Sequence, residues 1–259
     1  MRIKETRVTG SHGSFDPQLH PGPADTKMEL PEFDKRARTR QLAAEFIERG
    51  DPLGWFDALY KESGGDTEKI PWADMEPNRF FKHWAESARL KGEGRKALVV
   101  GCGLGDDANY LNDLGFSVTA FDISPTAIQW ARRVYCDSDI RFEVADLFDP
   151  PVEWILGKNP PADAGGYDFV LEIYTIQPLP MDMRERAIDA VAAFVARNGR
   201  LVAVCRGRED NEEVGEVPWP LSKSDLSRFE ANGLTQTDFR EFLDKEDEQR
   251  RFLIEFRRD

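Results

Sequence analysis

The sequence predicts an α/β fold built on a doubly wound, mostly parallel sheet. From Lys96 onward, short apolar runs alternate with amphipathic stretches of helical period, which is the pattern of successive strand–helix–strand units. Two of these runs end in a glycine turn at Gly101 and in an acid at Asp122, as the ligand-binding strand ends of such sheets do. Residues 235–243 and 250–257 alternate polar and apolar positions and predict a closing antiparallel hairpin.

Three segments follow one another along the chain. Residues 1–33 are rich in Gly, Pro, His and charge without periodicity, and they predict a flexible extension. Residues 34–93 predict a helical cap and residues 94–259 the sheet domain. The predicted helices span 35–49, 52–61, 77–90, 107–114, 184–197 and 222–232, with one more that starts at Pro125; the first five strands span 96–101, 117–122, 140–144, 167–174 and 200–206.

Two of these helices carry clear boundary signals. Ser124 precedes Pro125, so we expect the serine to cap the helix and the proline to occupy its first position. Asn198 and Gly199 follow the helix predicted over 184–197 and are expected to end it.

Composition limits the classes of function. The 259 residues contain 48 acids against 35 Lys and Arg, a formal net charge of −13, which opposes nucleic-acid partners because phosphate contacts need clustered cations. Three cysteines do not suggest a disulfide framework. The chain has no apolar leader and no run long enough to span a bilayer. We therefore expect a cytoplasmic protein, a monomer or homodimer, acting on a small molecule and not on a membrane.

The residue pattern of the glycine turn indicates the kind of cofactor. A dinucleotide site usually has G-x-G-x-x-G, whereas this turn has Gly101-x-Gly103-x-Gly105 followed by Asp106 and Asp107. Acids at a helix N-terminus suit the helix dipole but oppose a pyrophosphate. The turn therefore favours a cofactor without phosphates, such as S-adenosylmethionine.

Three motifs together resemble the class I S-adenosylmethionine-dependent methyltransferases. They lie at residues 99–105 (VVGCGLG), 121–128 (FDISPTAI) and 145–148 (ADLF), and the resemblance covers about residues 94–257. It implies a Rossmann-like seven-stranded sheet of order 3-2-1-4-5-7-6 with an antiparallel last strand.

Shorter segments suggest a subgroup of this family. Residues 55–60 (WFDALY), 70–72 (IPW) and 217–222 (VPWPLS) are similar to the thiopurine, thiol and halide methyltransferase group. Trp72 is followed by Ala73 where that group often has an acid.

The resemblance implies a role for each cofactor-side residue. The glycine turn is expected to bring its backbone to the methionyl part, with Cys102 as a small filler. Trp72 and Trp219 are expected either to form an aromatic wall over the cofactor or to be plain core residues. Asp122 is expected to accept the ribose hydroxyl protons, with Ile123 on the adenine face. The expected cofactor-binding residues are Trp72, Gly101, Cys102, Gly103, Gly105, Asp122, Ile123, Asp146, Leu147 and Glu172. Asp146 is expected to accept the adenine amino group beside the Leu147 amide, or else to act as a plain helix cap.

The end of the fourth strand supplies the predicted acceptor side. Glu172 lies in an apolar run. Because an unpaired buried carboxylate is costly, we expect this acid to have a functional or a structural partner. Either it lines the site with Tyr174 and Gln177, or it forms an internal salt bridge with an arginine of the cap. Arg206, at the end of strand five, either reaches an anionic acceptor or is solvated. Glu172, Tyr174 and Arg206 are the predicted catalytic residues.

The predicted function is methyl transfer to a small-molecule acceptor, with a thiol or other soft nucleophile favoured because no catalytic histidine is evident. The same absence also fits carboxylate-assisted transfer by Glu172. The alternatives are an O- or N-methyltransferase of a biosynthetic pathway, a non-catalytic S-adenosylmethionine-binding protein, and a nicotinamide-dependent dehydrogenase. The third glycine of the dinucleotide pattern G-x-G-x-x-G is absent, and two acids follow the turn. Both features argue against a dehydrogenase. The spacing of the three histidines suggests no metal site, and strand four lacks the Asn/Asp-Pro-Pro-Tyr signature of many nucleic-acid methyltransferases.

Overall fold

The centre of the structure is a sheet whose strands are parallel except for the last one. A computed structural model describes residues 34–155, 165–244 and 248–259. Within these ranges the strands are β1 (Lys96–Val100), β2 (Ser117–Asp122), β3 (Arg141–Val144), β4 (Tyr167–Ile173), β5 (Val195–Arg208), β6 (Leu221–Ser222), β7 (Thr235–Leu243) and β8 (Arg250–Arg257). Their order is β3-β2-β1-β4-β5-β8-β7, with β6 paired to β5 off this path.

The topology confirms the predicted sheet. β1 pairs in parallel with β2 and β4, and β8 is antiparallel to both β5 and β7. β6 is an addition that the sequence did not predict, because two residues are too few to show a periodic pattern. The strands of the closing hairpin have the predicted bounds.

Seven helices surround the sheet in the described part of the chain. They are α1 (Lys35–Glu48), α2 (Gly54–Ser63), α3 (Arg79–Ser87), α4 (Asp106–Asp113), α5 (Pro125–Val134), α6 (Met181–Ala193) and α7 (Lys223–Ala231). The predicted N-cap residue of α5 is confirmed, since the Ser124 hydroxyl accepts a hydrogen bond from the Ala127 amide at 3.0 Å. None of these helices is long and apolar enough to cross a bilayer.

The predicted end of α6 is wrong. The helix ends at Ala193, and β5 already begins at Val195, which pairs with Tyr167 of β4. Asn198 lies inside β5 with a φ of 59°, where the β4–β5 register shifts. Buried cross-strand pairing thus converts the Asn-Gly signal from a helix stop into an irregularity of the strand.

The core has two layers because successive strand residues point to opposite faces. On β1, Leu98 and Val100 face one layer, while Ala97 and Val99 face the other. The first layer contains residues of α6 and α7: Ile188, Val191, Leu226 and Phe229. The second contains residues of α3, α4 and α5: Phe81, Trp84, Ala108, Leu111, Ile128 and Ala131. With both faces covered, the carboxyl ends of the strands are left as the place for a ligand.

The predicted cap, residues 34–93, has two parts. α3 belongs to the main core, whereas Leu42 and Ala43 of α1 form a separate cluster with Trp55 and Leu59 of α2. Next to that cluster, a small group of Tyr60, Ile70, Leu104 and Ala127 links α2 to the glycine turn and to α5. Residues 1–33, the predicted extension, lie outside the described residues, as do 156–164 and 245–247.

Candidate active site

A glycine turn joins β1 to α4 at the carboxyl edge of the sheet. Gly101 and Gly103 have φ angles of 60° and 53°, which other residues adopt only with strain. A Cβ atom on Gly101 would lie 2.5 Å from the Thr175 side chain, and one on Gly103 would lie 3.0 Å from the Tyr60 hydroxyl. Both positions therefore require glycine. The Cys102 amide donates to the carbonyl of the β2 residue Phe121 at 2.8 Å, which holds the turn against the next strand.

Asp122 ends β2 directly beside this turn. Its Oδ2 atom accepts from the Gly103 amide at 3.0 Å, and its Oδ1 atom accepts from the Ser124 amide at 2.8 Å. Burial raises the pKa of this carboxyl, and the two backbone donors partly oppose that rise. An ionised carboxylate offers about four lone-pair sites, so Asp122 can accept from donors beyond these two amides.

Two acids occupy the first turn of α4. Asp107 accepts from the Asn78 amide at 2.7 Å, and Asp106 accepts from the Tyr135 hydroxyl at 2.5 Å. Burial raises the pKa of Asp107 to about 7, against the effect of the Asn78 bond, and also raises that of Asp106. The helix N-terminus that would hold a pyrophosphate in a dinucleotide site is therefore already occupied by carboxyl groups.

The predicted adenine-side residues follow β2 and β3. Ile123 and Asp146 are half-buried, and Leu147 is buried in the core layer of α6 and α7. Asp146 Oδ1 accepts from the Phe148 amide at 2.8 Å, which closes a local turn after β3. The Ala145 amide donates to the Asp122 carbonyl at 3.1 Å, so the two strand ends lie next to each other.

Helix α2 contributes two residues that the sequence analysis missed. The Tyr60 ring is buried, and its hydroxyl both faces the Gly103 position and accepts from Trp72 Nε1 at 2.7 Å. Asp57, one helical turn earlier, accepts from the Ser124 hydroxyl at 2.7 Å and from the Thr126 amide at 3.1 Å. Tyr60 belongs to the WFDALY segment that carried the subgroup resemblance, but no local pattern marks its partner or that of Asp57.

Trp72 lies between the cap and the glycine turn. Its ring is edge-on to those of Trp55 and Tyr60, with a centroid distance of 6.1 Å in each case. It is 37% exposed, and its ring atoms lie 3.9 Å from the Cβ position of Gly103. The structure thus brings this predicted wall residue to the predicted cofactor turn while part of its surface stays open.

Glu172 is enclosed, although the sequence analysis placed it facing the ligands. The side chain is fully buried, and Oε1 accepts from the amides of Thr175 and Ile176 at 2.7 and 3.0 Å. Oε2 has no hydrogen-bond partner among the described residues. Burial raises the pKa of this carboxyl to about 7, which the two amide donors partly oppose. The predicted alternative, a salt bridge to the cap, is not formed with a described residue; the carboxyl instead holds the turn after β4.

Tyr174 begins that turn with a φ of 58°. Its hydroxyl accepts from Arg251 Nε at 3.1 Å, and Arg251 also pairs with the buried Asp244 at 3.5 Å. Burial raises the pKa of the phenol, while Arg251 acts in the opposite direction. Arg206, the third predicted catalytic residue, is half-buried and lies directly opposite Arg251 in the β5–β8 pairing.

Gln177 connects the turn to the loop that carries Trp219. Its Oε1 atom accepts from the Arg206 amide at 2.8 Å, and its carbonyl accepts from the Trp219 amide at 3.0 Å. The buried Arg184 of α6 donates to the Trp219 carbonyl at 3.0 Å. Gln177, Arg206 and Trp219 are therefore held together at the ends of β4 and β5 by one hydrogen bond of the Gln177 side chain and one of its backbone.

Comparison with known proteins identifies the family. Residues 97–199 match the model of a family described as a methyltransferase domain. Residues 97–199 therefore form a methyltransferase domain, and the findings support a class I S-adenosylmethionine-dependent methyltransferase. This confirms the predicted family and enzyme class, and with them S-adenosylmethionine as the cofactor of the family. The thiopurine, thiol and halide group stays a prediction.

Relatives and solved structures agree with this membership. A curated relative, 2-heptyl-1-hydroxyquinolin-4(1H)-one methyltransferase of Mycobacteroides abscessus, is 20% identical over 188 residues, 71% of this chain and 77% of the relative. A structure described for the conversion of a disulfide bond into a thioacetal group in echinomycin biosynthesis has a TM-score of 0.61 at 23% identity, covering 80% of this chain and 91% of the other. The N1-methyltransferase of 1,6-didemethyltoxoflavin from Burkholderia thailandensis has a TM-score of 0.58 at 15% identity, covering 93% and 99%. The solved structures support the fold of this methyltransferase.

The described part of this methyltransferase shows neither a buried histidine nor a cluster of metal ligands. Of its three histidines, His83 is exposed on α3, and His12 and His20 lie outside the described residues. In the described ranges, no three or more His, Cys, Asp or Glu side chains are grouped to hold a metal ion.

Proposed function

We propose that this methyltransferase binds S-adenosylmethionine at the glycine turn and transfers its methyl group to a small molecule, with a thiol or another soft nucleophile as the accepting atom. The observation that carries the cofactor site is Asp122: it is buried beside a turn that excludes side chains at Gly101 and Gly103, and its carboxylate is a strong acceptor for ribose hydroxyls.

The residues present fit this cofactor. Backbone at Gly101, Gly103 and Gly105 borders the methionyl part, with Cys102 as filler. Ile123 and Leu147 border the adenine, and Asp146 accepts its amino group through the oxygen that the Phe148 amide does not use. The acids at the start of α4 disfavour a phosphate-bearing alternative.

The aromatic side chains of the cap complete the cofactor site. Trp72 is partly exposed and lies beside Gly103, and its indole N–H donates to the Tyr60 hydroxyl. A positively charged sulfonium is attracted to such a π face. We place Trp219 on the opposite wall, because the loop that carries it is bound to the end of β4.

The bound cofactor supplies an electrophilic methyl group, and the protein contributes alignment and exclusion of water. Tyr174 and Arg206 are the proposed contacts of the acceptor, since they lie where β4 and β5 end. Glu172 acts indirectly. One of its oxygens accepts hydrogen bonds from two backbone amides and so fixes the turn that carries Tyr174.

The acceptor class follows from what the site would have to supply. A neutral hydroxyl or amine needs a general base, whereas a thiolate or an acidic hydroxyl does not. His83, the described histidine, is exposed on α3, which favours soft or already anionic acceptors. The net charge of −13 makes a nucleic acid a poor acceptor.

A second candidate is an O- or N-directed small-molecule methyltransferase. The curated relative is named for a hydroxylated quinolone, and one similar structure is an N1-methyltransferase. Their identities of 20% and 15% to this chain leave the accepting atom open.

Calorimetric titration with S-adenosylhomocysteine, with NADH as control, tests the cofactor site. Micromolar binding of S-adenosylhomocysteine alone is expected, and binding of NADH alone would overturn the proposal. Turnover of S-adenosylmethionine is then measured over thiols, halides, phenols and amines. Fastest turnover with a thiol or halide supports the first candidate, and fastest turnover with phenols or amines supports the second.

A further inference from the structure

One carboxylate of helix α2, that of Asp57, binds the N-terminus of α5, which directly follows the end of β2. Asp57 Oδ1 accepts from the Ser124 hydroxyl at 2.7 Å and from the Thr126 amide at 3.1 Å. Its other oxygen lies 2.6 Å from Lys61 Nζ, one turn further along α2. The carboxylate thus joins a helix that precedes the sheet in sequence to the N-terminus of α5.

The contact continues directly to Asp122. Ser124, which is fully buried, donates its hydroxyl to Asp57 and its amide to Asp122 Oδ1, the latter at 2.8 Å. The opposite oxygen of Asp122 accepts from Gly103. Asp122 is therefore oriented by one bond from the glycine turn and by one from a residue that Asp57 holds.

The two carboxylates raise an electrostatic question. Asp57 is one of the charges that raise the pKa of Asp122, so their proximity disfavours the ionised pair. Although burial acts to raise the pKa of Asp57, the donors Lys61, Ser124 and Thr126 together lower it to about 2. Its position at the N-terminus of α5 is also favourable for an anion. The arrangement keeps Asp57 charged despite its neighbour.

The same helix makes a second contact with the site. Tyr60 lies one turn after Asp57, and its hydroxyl faces Gly103, the residue that donates to Asp122. Residues three apart lie on one face of a helix. That face of α2 therefore contacts both the turn and the loop that hold Asp122.

We propose that Asp57 is a positioning residue of the cofactor site, which acts through Ser124 to orient Asp122, so that cofactor affinity depends on the docking of α2. This inference rests on the proposed role of Asp122 at the ribose.

The test measures S-adenosylhomocysteine affinity by calorimetry well below the melting temperature of each variant. Asp57→Ala is expected to raise Kd about tenfold and Asp57→Asn about threefold, because Asn keeps one accepting oxygen but loses the charge. Glu62→Gln is the matched control: Glu62 lies on the same helix and pairs with Arg38 at 2.6 Å, away from α5. It is expected to change Kd less than about twofold.

A purely structural role predicts a different result. In that case Asp57→Asn and Glu62→Gln would lower the melting temperature alike and leave Kd unchanged, which would overturn the inference. If Asp57→Ala does not fold, the Asn variant with its control decides alone.

A double-mutant cycle identifies the route of the effect. If Asp57 acts through Asp122, Asp57→Ala in an Asp122→Asn background should raise Kd less than about twofold further. The same tenfold factor in both backgrounds would contradict the route. If Asp122→Asn itself leaves Kd unchanged, the proposed ribose role fails, which is a separate result from failure of Asp57.

Discussion

The buried Glu172 leads to a quantitative prediction about pH. The change is Glu172→Gln, which keeps an oxygen for the amides of Thr175 and Ile176 and removes the ionisable group. Because the described part of the chain offers Oε2 no partner, the glutamine nitrogen replaces an atom that makes no hydrogen bond. The substitution therefore removes a titration while keeping the known contacts of the turn.

The magnitude follows from the raised pKa of Glu172, from 4.5 to about 7. Between these values the unfolded chain loses the proton while the folded protein keeps it, so the free energy of unfolding of the wild type falls as pH rises. Above about pH 7 both states are ionised and the loss is complete. At about 1.36 kcal/mol per pKa unit, the stability of Glu172→Gln relative to wild type should rise by about 2–3 kcal/mol from pH 5 to pH 8.

Urea unfolding at pH 5, 6, 7 and 8 measures this difference. Glu230→Gln, on the exposed surface of α7, controls for the loss of one negative charge and should show a much smaller slope. A difference between Glu172→Gln and wild type that stays constant with pH would refute the reasoning. The slope is the test, since the new amide adds a cost of its own at every pH.

Three further predictions concern the cofactor turn. Asp122→Ala should weaken S-adenosylhomocysteine binding by about 1.5–3 kcal/mol, through the loss of hydrogen bonds to a charged group, as measured by calorimetry. Gly103→Ala should raise Kd at least about tenfold, because a methyl group at φ 53° is strained and lies 3.0 Å from the Tyr60 hydroxyl. Burial raises the pKa of Asp107 to about 7, so this carboxyl also makes the free energy of unfolding of the wild type fall as pH rises from about 4 to 7. Asp107→Asn should remove this contribution, as measured by urea unfolding.

Each of these predictions has its own control. Unchanged affinity in a folded Asp122→Ala protein would remove that residue from the site. Gly94→Ala carries similar strain, at φ 77° with no atom within 4 Å of its Cβ position, so an equal loss of affinity there would mean that the Gly103 effect is not local. For Asp107→Asn, a pH profile of stability identical to that of the wild type would contradict the buried titration.

Elements with a regular pattern could be predicted from the sequence. The hairpin strands at 235–243 and 250–257 alternate, and β2 is a short apolar run that ends in Asp122, so their bounds match. Ser124 and Pro125 mark the start of α5 by local geometry alone. At Asn198 the same kind of local signal failed, because pairing of β5 with β4 overrides a helix stop.

In the candidate site, too, the local motifs could be predicted from the sequence and the long-range contacts could not. The glycine turn and Asp122 are local motifs, and the structure places them together. Asp57 and Tyr60 were missed because their partners, Ser124 and Gly103, lie tens of residues away in sequence. The sequence shows Glu172 as an acid in an apolar strand. Only the folded structure shows that its carboxyl is buried and accepts from the backbone amides of Thr175 and Ile176.

The sequence by itself determined the sheet, the kind of methyltransferase and the glycine turn at which we propose that the cofactor binds, since these depend on periodicity, glycine spacing and short-range capping. Only the tertiary structure decided which face of α2 meets the site, where Glu172 points and how Asp122 is oriented. The physical reason is range: a hydrogen bond within a turn joins residues a few positions apart, whereas the contact from Asp57 to Ser124 forms only after the chain has folded.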